Sequence, residues 1–415
     1  MSFWVTQNGG FFALDSASNF LAENTTFILK FTTSIRPLMS IFDISRVECV
    51  TFRGLNISRH RYSFTIKTLF SLQEIKELIV ADLTLLKLQL VGRGTAAQEL
   101  FFLENVASME VNRLNVSLSN FEWHSIFRLQ TLTVEEDALT KVNISNLIVS
   151  NSSFTSSSIF SVSVAESIDF TLQQADFRHI ALSESEVFPI IFDENVLNSR
   201  ATFMNLSISG CDFRSARFLK TQKFKAITMK HITCTDSTFG TDRLFDRTFL
   251  FGIRSVLVEI FDFVFTRNTL SGYFIFMIDP QYRVGFITRG TVSRTSFANS
   301  GVVTTNSYLE NVSVVLFFSL FNIYDVEVDN DNTHAVLNFR DLYSLITDCN
   351  FEGIRVNSGE LILFSQSSLF KNFHFPSMAF LNYIDDLSPE LSMAYNSLIV
   401  KIKELNLETQ EIFGI

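Results

Sequence analysis

The sequence predicts an all-β solenoid, and three observations carry the prediction. When the chain is laid against itself, apolar residues recur at −10, −7 and −5 relative to a bulky apolar anchor, usually Phe. The residues after each anchor alternate in polarity with period two, as in Phe127, Leu129, Thr131 and Phe160, Val162, Val164, which puts every second side chain on one face of a strand. Helix signals, a cap followed by apolar positions three and four apart, are sparse.

The clearest copies are Val111, Leu114, Val116, Phe121; Ile144, Leu147, Val149, Phe154; Phe203, Leu206, Ile208, Phe213; Met229, Ile232, Cys234, Phe239; and Ile253, Val256, Val258, Phe263. Ile287, Gly290, Val292, Phe297 loses one apolar place, and Phe52, Leu55, Ile57, Tyr62; Ile75, Leu78, Val80, Leu85; and Ile402, Leu405, Leu407, Ile412 replace the anchor. With weaker copies at Phe177, Phe321, Phe351 and Phe373, about 13 units follow one another at a spacing of roughly 29 residues, a period of solenoids and propellers.

Each unit reads strand, turn, strand, variable loop, strand. The turn precedes the anchor: the residue before it is mostly polar (Asn120, Ser153, Asp212, Thr238), and the one before that is small (Ser119, Ser152, Cys211, Ser237). Asp, Asn and Ser satisfy loose backbone groups at a bend, and a small side chain lets the next coil approach. A second apolar patch, such as Ile126-Phe127 or Ile159-Phe160, opens the strand that follows. Spacings of 22 to 26 residues fit a bare coil, and longer ones need an extra loop, the usual carrier of binding in such arrays.

Composition agrees. The 415 residues include 46 Phe, 15 Gly and 5 Pro, which excludes collagenous or disordered chains and asks for a place to put the Phe. A net charge of −10 argues against a general nucleic-acid partner, which would need a basic footprint to displace counterions. Cys49, Cys211, Cys234 and Cys349 lack zinc spacing, although Cys211 and Cys234 stand about one coil apart and leave open stacked thiols or a bridge. No transmembrane segment is legible, because no uncharged apolar run reaches the roughly 18 residues of a span, and residues 1–12 lack the layout of a secretory signal. Residues 1–40 read as an N-terminal coil or entry segment and 41–415 as the array, whose last copy closes at Ile415 without a polar cap, as in a fragment of a longer chain.

On these copies the chain resembles the right-handed parallel β-helix of the pectin-lyase-like superfamily and, more closely, the Asn/Ser/Phe-punctuated β-helix regions of large ciliate surface proteins. The resemblance spans roughly residue 40 to the end. It implies a right-handed rod of about 13 coils and roughly 60 Å, with the anchor Phe in an internal column. The same half-repeat fits the leucine-rich line L-x-x-L-x-L-x-x-N-x-L, with Cys211 or Cys349 at the Asn place and Phe213 or Phe351 closing it, so a leucine-rich-repeat solenoid is the alternative.

No catalytic constellation is legible: the polygalacturonase motifs are absent, Asp385-Asp386 is a lone pair, Asn332-Thr333-His334 ends in the wrong residue, and His60, His124, His179, His231, His334 and His374 are scattered. No cofactor is called for except a calcium ion on Asp325, Glu327, Asp329 and Asp331, which alternate with Val326 and Val328 so that a strand would bring four hard oxygen donors to one face. Arg214, Arg217, Lys220, Lys223, Lys225 and Lys230 run without an intervening acid and suggest either a solvated face or a patch for an acidic glycan. Sequons occur at Asn24, Asn56, Asn115, Asn143, Asn151, Asn205 and Asn311; Asn56 and Asn115 fall between two inward places and should point outward, where glycans attach.

The expectation is a non-catalytic structural or recognition segment of an extracellular or cell-surface protein, part of a larger membrane-anchored chain, with glycans or other surface proteins as partners. A polysaccharide lyase or hydrolase and a leucine-rich interaction module are the alternatives.

Overall fold

The computed structural model describes residues 2–5, 12–29, 42–59, 68–91, 98–131, 139–164, 167–192, 199–221, 224–241, 248–253, 255–278, 284–305, 315–330, 335–339, 343–358, 360–364 and 368–371. Among the described residues every regular element is a β-strand and none is a helix, and all the strands pair in parallel, as an all-β parallel solenoid requires. The leucine-rich alternative, which needs helix or a one-sided horseshoe, is thereby set aside.

Residues 98–123 make one coil with no inserted loop. The chain runs along a first face (98–104), turns at Asn105, runs along a second (106–112), turns at Arg113, makes a third (114–117), turns at Leu118, and crosses a fourth (Asn120–Glu122) before Trp123 returns it to the first at His124. All four corner residues are left-handed, with φ of 53, 59, 52 and 59°. That conformation costs an L-residue roughly 1–2 kcal/mol, so the corners must be held. Bonds between coils hold them: the N–H of Leu118 donates to the Ser150 carbonyl at 3.2 Å and that of Trp123 to the Thr155 carbonyl at 3.0 Å. Asn146, Asn151 and Ser156 repeat three of these corners one coil later.

Coils stack in register. Leu90, Phe121, Phe154, Leu182, Phe213, Phe239, Leu270, Phe297, Val328 and Val356 share one place on the fourth face. Among the described residues that face has ten strands, nine turns from first to last, while the first face stacks thirteen, from Phe12–Asp15 to Glu360–Phe364, so the fourth face is described for fewer coils than the roughly 13 that the repeat predicts. Individual copies nevertheless fall out of register, and the reason is physical. Steps of three, two and five between inward residues occur at more than one place around a coil, so some copies were framed one corner early. Ile75, Leu78, Val80, Leu85 is displaced from the true Val80, Leu83, Leu85, Leu90, and Ile253, Val256, Val258, Phe263 from Ile260, Phe263, Phe265, Leu270. Phe177 and Phe351 stand on the third face, and Phe321 opens it; the fourth-face places in those coils belong to Leu182, Val356 and Val328. Tyr62, Phe373 and the copy from Ile402 to Ile412 lie outside the described residues.

The described part of 1–40 belongs to the same stack: Phe12–Asp15, Asn19–Glu23 and Thr26–Leu29 pair with Phe42–Ser45, Cys49–Arg53 and Asn56–Arg59.

Phenylalanine fills two columns rather than one. The fourth-face anchors alternate with Leu and Val, with Phe121 on Phe154 (5.0 Å between ring centroids) and Phe213 on Phe239 (4.8 Å). The longer run lies on the first face, in the patch that follows the anchor. Phe42, Phe70, Phe101 and Phe127 stack there at 5.1, 4.6 and 4.8 Å, with Phe160 next at 6.1 Å. All four of these stacked rings are buried, and such pairs add about 0.5–1.5 kcal/mol each beyond burial.

The small residues before the anchor are a buried polar ladder at the corner between the third and fourth faces. Ser119 Oγ accepts the N–H of Leu88 at 3.0 Å, Ser152 Oγ that of Ser119 at 3.1 Å, Ser237 Oγ that of Cys211 at 3.1 Å, and Asn268 Oδ1 that of Ser237 at 2.9 Å. A second ladder runs where the fourth face meets the first: Ser157 Oγ accepts from His124 N–H, Ser185 Oγ from Ser157 N–H, and Asn330 Oδ1 from Ser300 N–H. Each hydroxyl also donates to a carbonyl of its own coil, as Ser152 does to Ser150 and Ser185 to Ser183. Buried N–H groups at the bends are thus satisfied.

Candidate functional face

Charged side chains occupy two environments. At the corners, carboxylates meet arginines of the next coil through paired bonds: Arg267 Nε and Nη2 donate to Asp236 at 2.6 and 2.7 Å, Arg289 to Asp262 at 2.7 and 3.0 Å, and Arg113 likewise to Asp82. These arginines are 51–61% exposed. Hydrogen bonding to the guanidinium holds all three carboxyls below the usual carboxylate range, and it pulls Asp15, bonded to Arg46, down to about 2.

On the outer side of the first face the charges are recessed. Arg128 donates to Glu99 at 2.8 Å with side chains 35% and 5% exposed. Two coils on, Glu186 Oε1 accepts from Arg217 Nη1 and from Lys220 Nζ, both at 3.0 Å, with all three 28–30% exposed. The Arg217 guanidinium lies 4.6 Å over the ring of Phe249, which fixes its plane. Between these clusters Ser125 and Ser158 share a 2.6 Å hydrogen bond. This face is also where the coils vary in length: segments 92–97, 242–247 and 331–334 precede its strands in the chain, and 132–138, 193–198 and 306–314 follow them.

The basic run does not form one patch. Arg214 lies on the fourth face beside Asp212 (3.0 Å), Arg217 and Lys220 on the first face against Glu186, and Lys225 and Lys230 on the second, with Lys230 5.3 Å from the centre of the Phe261 ring. Lys223 lies outside the described residues. Arg214 meets an acid of its own coil, whereas the one acid that meets Arg217 and Lys220, Glu186, comes from the preceding coil, 31 and 34 residues away, which a linear reading does not align.

The acidic run bends. Asp325 is a left-handed corner residue, and Glu327 and Asp329 follow on the outer side of the fourth face. Glu327 accepts from Asn357 Nδ2 at 3.0 Å and Asp329 from Ser358 Oγ at 2.6 Å. Asp331 lies outside the described residues, and among them no three His, Cys, Asp or Glu side chains gather as metal ligands would.

Asn56 and Asn115 are exposed on the third face, pointing outward as the alternation predicts. His124 is buried and donates from Nδ1 to the Glu122 carbonyl, while His179 and His231 are corner residues. Cys211 and Cys234 are free, buried thiols and not a bridge. His60, His334, His374, Asn311, Asn332, Thr333, Asp385 and Asp386 lie outside the described residues.

Compared with protein-family models, curated proteins and solved structures, the chain matches none. Among the described residues no helix is long and apolar enough to cross a membrane.

Proposed function

We propose that the chain is a non-catalytic recognition segment of a larger, membrane-anchored cell-surface protein, displaying its first face to glycans or other surface proteins. One observation carries the reading: the recessed cluster Glu186, Arg217, Lys220 over Phe249, on the face bordered by the variable segments. Charges held in a partly desolvated setting discriminate between partners more sharply than solvated corner pairs do. The parallel coil is consistent with, and does not single out, the proposed kinship with pectin-lyase-like rods and ciliate surface proteins. Biotinylation of intact cells, followed by partner capture with the native chain and with Arg217→Glu, tests the proposal. Labelling at the surface and loss of capture on charge reversal are the expected results, and an unlabelled chain would refute the location.

The same cluster favours a second reading, a polysaccharide lyase or hydrolase, because a carboxylate beside two cations is a minimal acid–base set. Release of reducing or unsaturated ends from acidic polysaccharides, lost in Glu186→Gln, would support it.

A further inference from the structure

The sequons are not spread around the rod. Asn143 stands on the second face, Asn56 and Asn115 on the third, Asn24 and Asn205 on the corner between those two, and Asn151 on the corner where the third ends. All six are exposed. The described asparagines on the rest of the circumference and its corners, Asn105, Asn120, Asn268, Asn299, Asn330, Asn338 and Asn357, carry Ala, Glu, Leu, Gly, Asn, Arg and Gly two places on, so none is a sequon.

Local geometry suits attachment. In Asn56-Ile57-Ser58, Asn115-Val116-Ser117 and Asn143-Ile144-Ser145 the middle residue is buried and the flanking Asn is exposed, so the amide stands clear of the core. Asn151 and Asn205 are left-handed corner residues and exposed.

We propose that N-linked glycans coat the second and third faces through Asn24, Asn56, Asn115, Asn143, Asn151 and Asn205, and leave the first and fourth faces bare for the partner. The coat would shield exposed Leu21, Leu118 and Ile148, which lie on or beside those faces. The reaction is transfer from a lipid-pyrophosphate-linked oligosaccharide: Asn Nδ2 bonds to the anomeric carbon, the bond from that carbon to the pyrophosphate oxygen breaks, the lipid pyrophosphate leaves, and the amide loses one proton to base.

The inference rests on the cell-surface reading, and one experiment on the native protein separates the two. Surface-biotinylated and total chain are treated with an amide-cleaving glycosidase, which leaves Asp at every glycosylated Asn, and are mapped by peptide mass spectrometry. Conversion at most of the six sites is expected. A surface-labelled chain with all six intact overturns the coat and leaves the surface reading standing; an unlabelled chain without conversion overturns both. Sidedness is read from Glu122→Thr, which writes a sequon at Asn120 on the fourth face. A glycan added there should abolish partner capture, whereas Asn115→Gln should leave capture unchanged. The reverse pattern would overturn the assignment of faces.

Discussion

The hydroxyl of Ser152 accepts the backbone N–H of Ser119 from the preceding coil at 3.1 Å and donates to the Ser150 carbonyl of its own. A side chain that would pass for a small spacer is therefore a rung of the polar column at that buried corner. Ser152→Ala leaves the Ser119 N–H without an acceptor and should cost about 1–3 kcal/mol, the penalty of an orphaned buried donor. Ser161→Ala, on a half-exposed site of the first face, should be close to neutral. Thermal unfolding of the two variants followed by circular dichroism checks the contrast.

The first-face Phe column gives a second expectation. Phe101 lies 4.6 Å from Phe70 and 4.8 Å from Phe127, and has no exposure. Phe101→Ala should destabilise by about 3–5 kcal/mol. Phe213→Ala, in the shorter fourth-face pair with Phe239, should fall in the same range. Urea unfolding measures both, and an unchanged midpoint would contradict an inward stack.

Two glycines separate close backbone approach from open surface. A methyl group on Gly301 would stand 2.5 Å from the Ala335 carbonyl oxygen and 2.7 Å from that of Val336, backbone atoms that cannot swing aside, whereas Gly240 has nothing within 4 Å. Gly301→Ala should lower the melting temperature clearly, and Gly240→Ala should leave it nearly unchanged.

Acid should weaken the corners. Asp15, Asp82, Asp236 and Asp262 have folded-state values depressed chiefly by hydrogen bonds from Arg46, Arg113, Arg267 and Arg289. A depressed carboxyl contributes stability that is present above its unfolded value of about 3.9 and is lost as pH falls through the folded one. The loss therefore falls below about pH 4, extending for Asp15 toward the value of about 2. Each exposed pair adds little on its own. Melting temperature should fall more steeply between pH 4 and pH 2 in the native chain than in one carrying Asp82→Asn, Asp236→Asn and Asp262→Asn together.

Burial pushes the Cys211 thiol to about 11 and Cys349 to about 12, and raises Cys234 well above its ordinary value. Few thiolates are present at neutral pH, so these three should resist alkylation until the coils open, while half-buried Cys49 reacts first. Mass spectrometry without reductant should find four free thiols, and a Cys211–Cys234 bridge would refute the packing.

Legibility followed chemistry. Inward positions announce themselves because burial demands apolar residues in fixed steps, so Val116, Phe121, Ile208 and Phe213 were placed correctly and the fold class with them. The register of some copies was not, because the steps around Phe263 and Phe177 recur within one turn and the corner residues carry no single signature: Asn146, Arg113, Leu118 and Trp123 all adopt the left-handed bend. Glu186 escaped notice for a related reason. Its partners Arg217 and Lys220 are neighbours only across the stack, and a pairing 31 residues distant leaves no local pattern.

The corner bonds of Leu118 to Ser150 and Trp123 to Thr155 run from coil to coil, along the length of the rod, as do those of the strands between them. Tension applied through the chain termini therefore loads the outermost coil first and peels it from its neighbour before the next one feels the force. A molecule built this way should yield by unwinding one turn at a time, each turn let go releasing a length of slack chain.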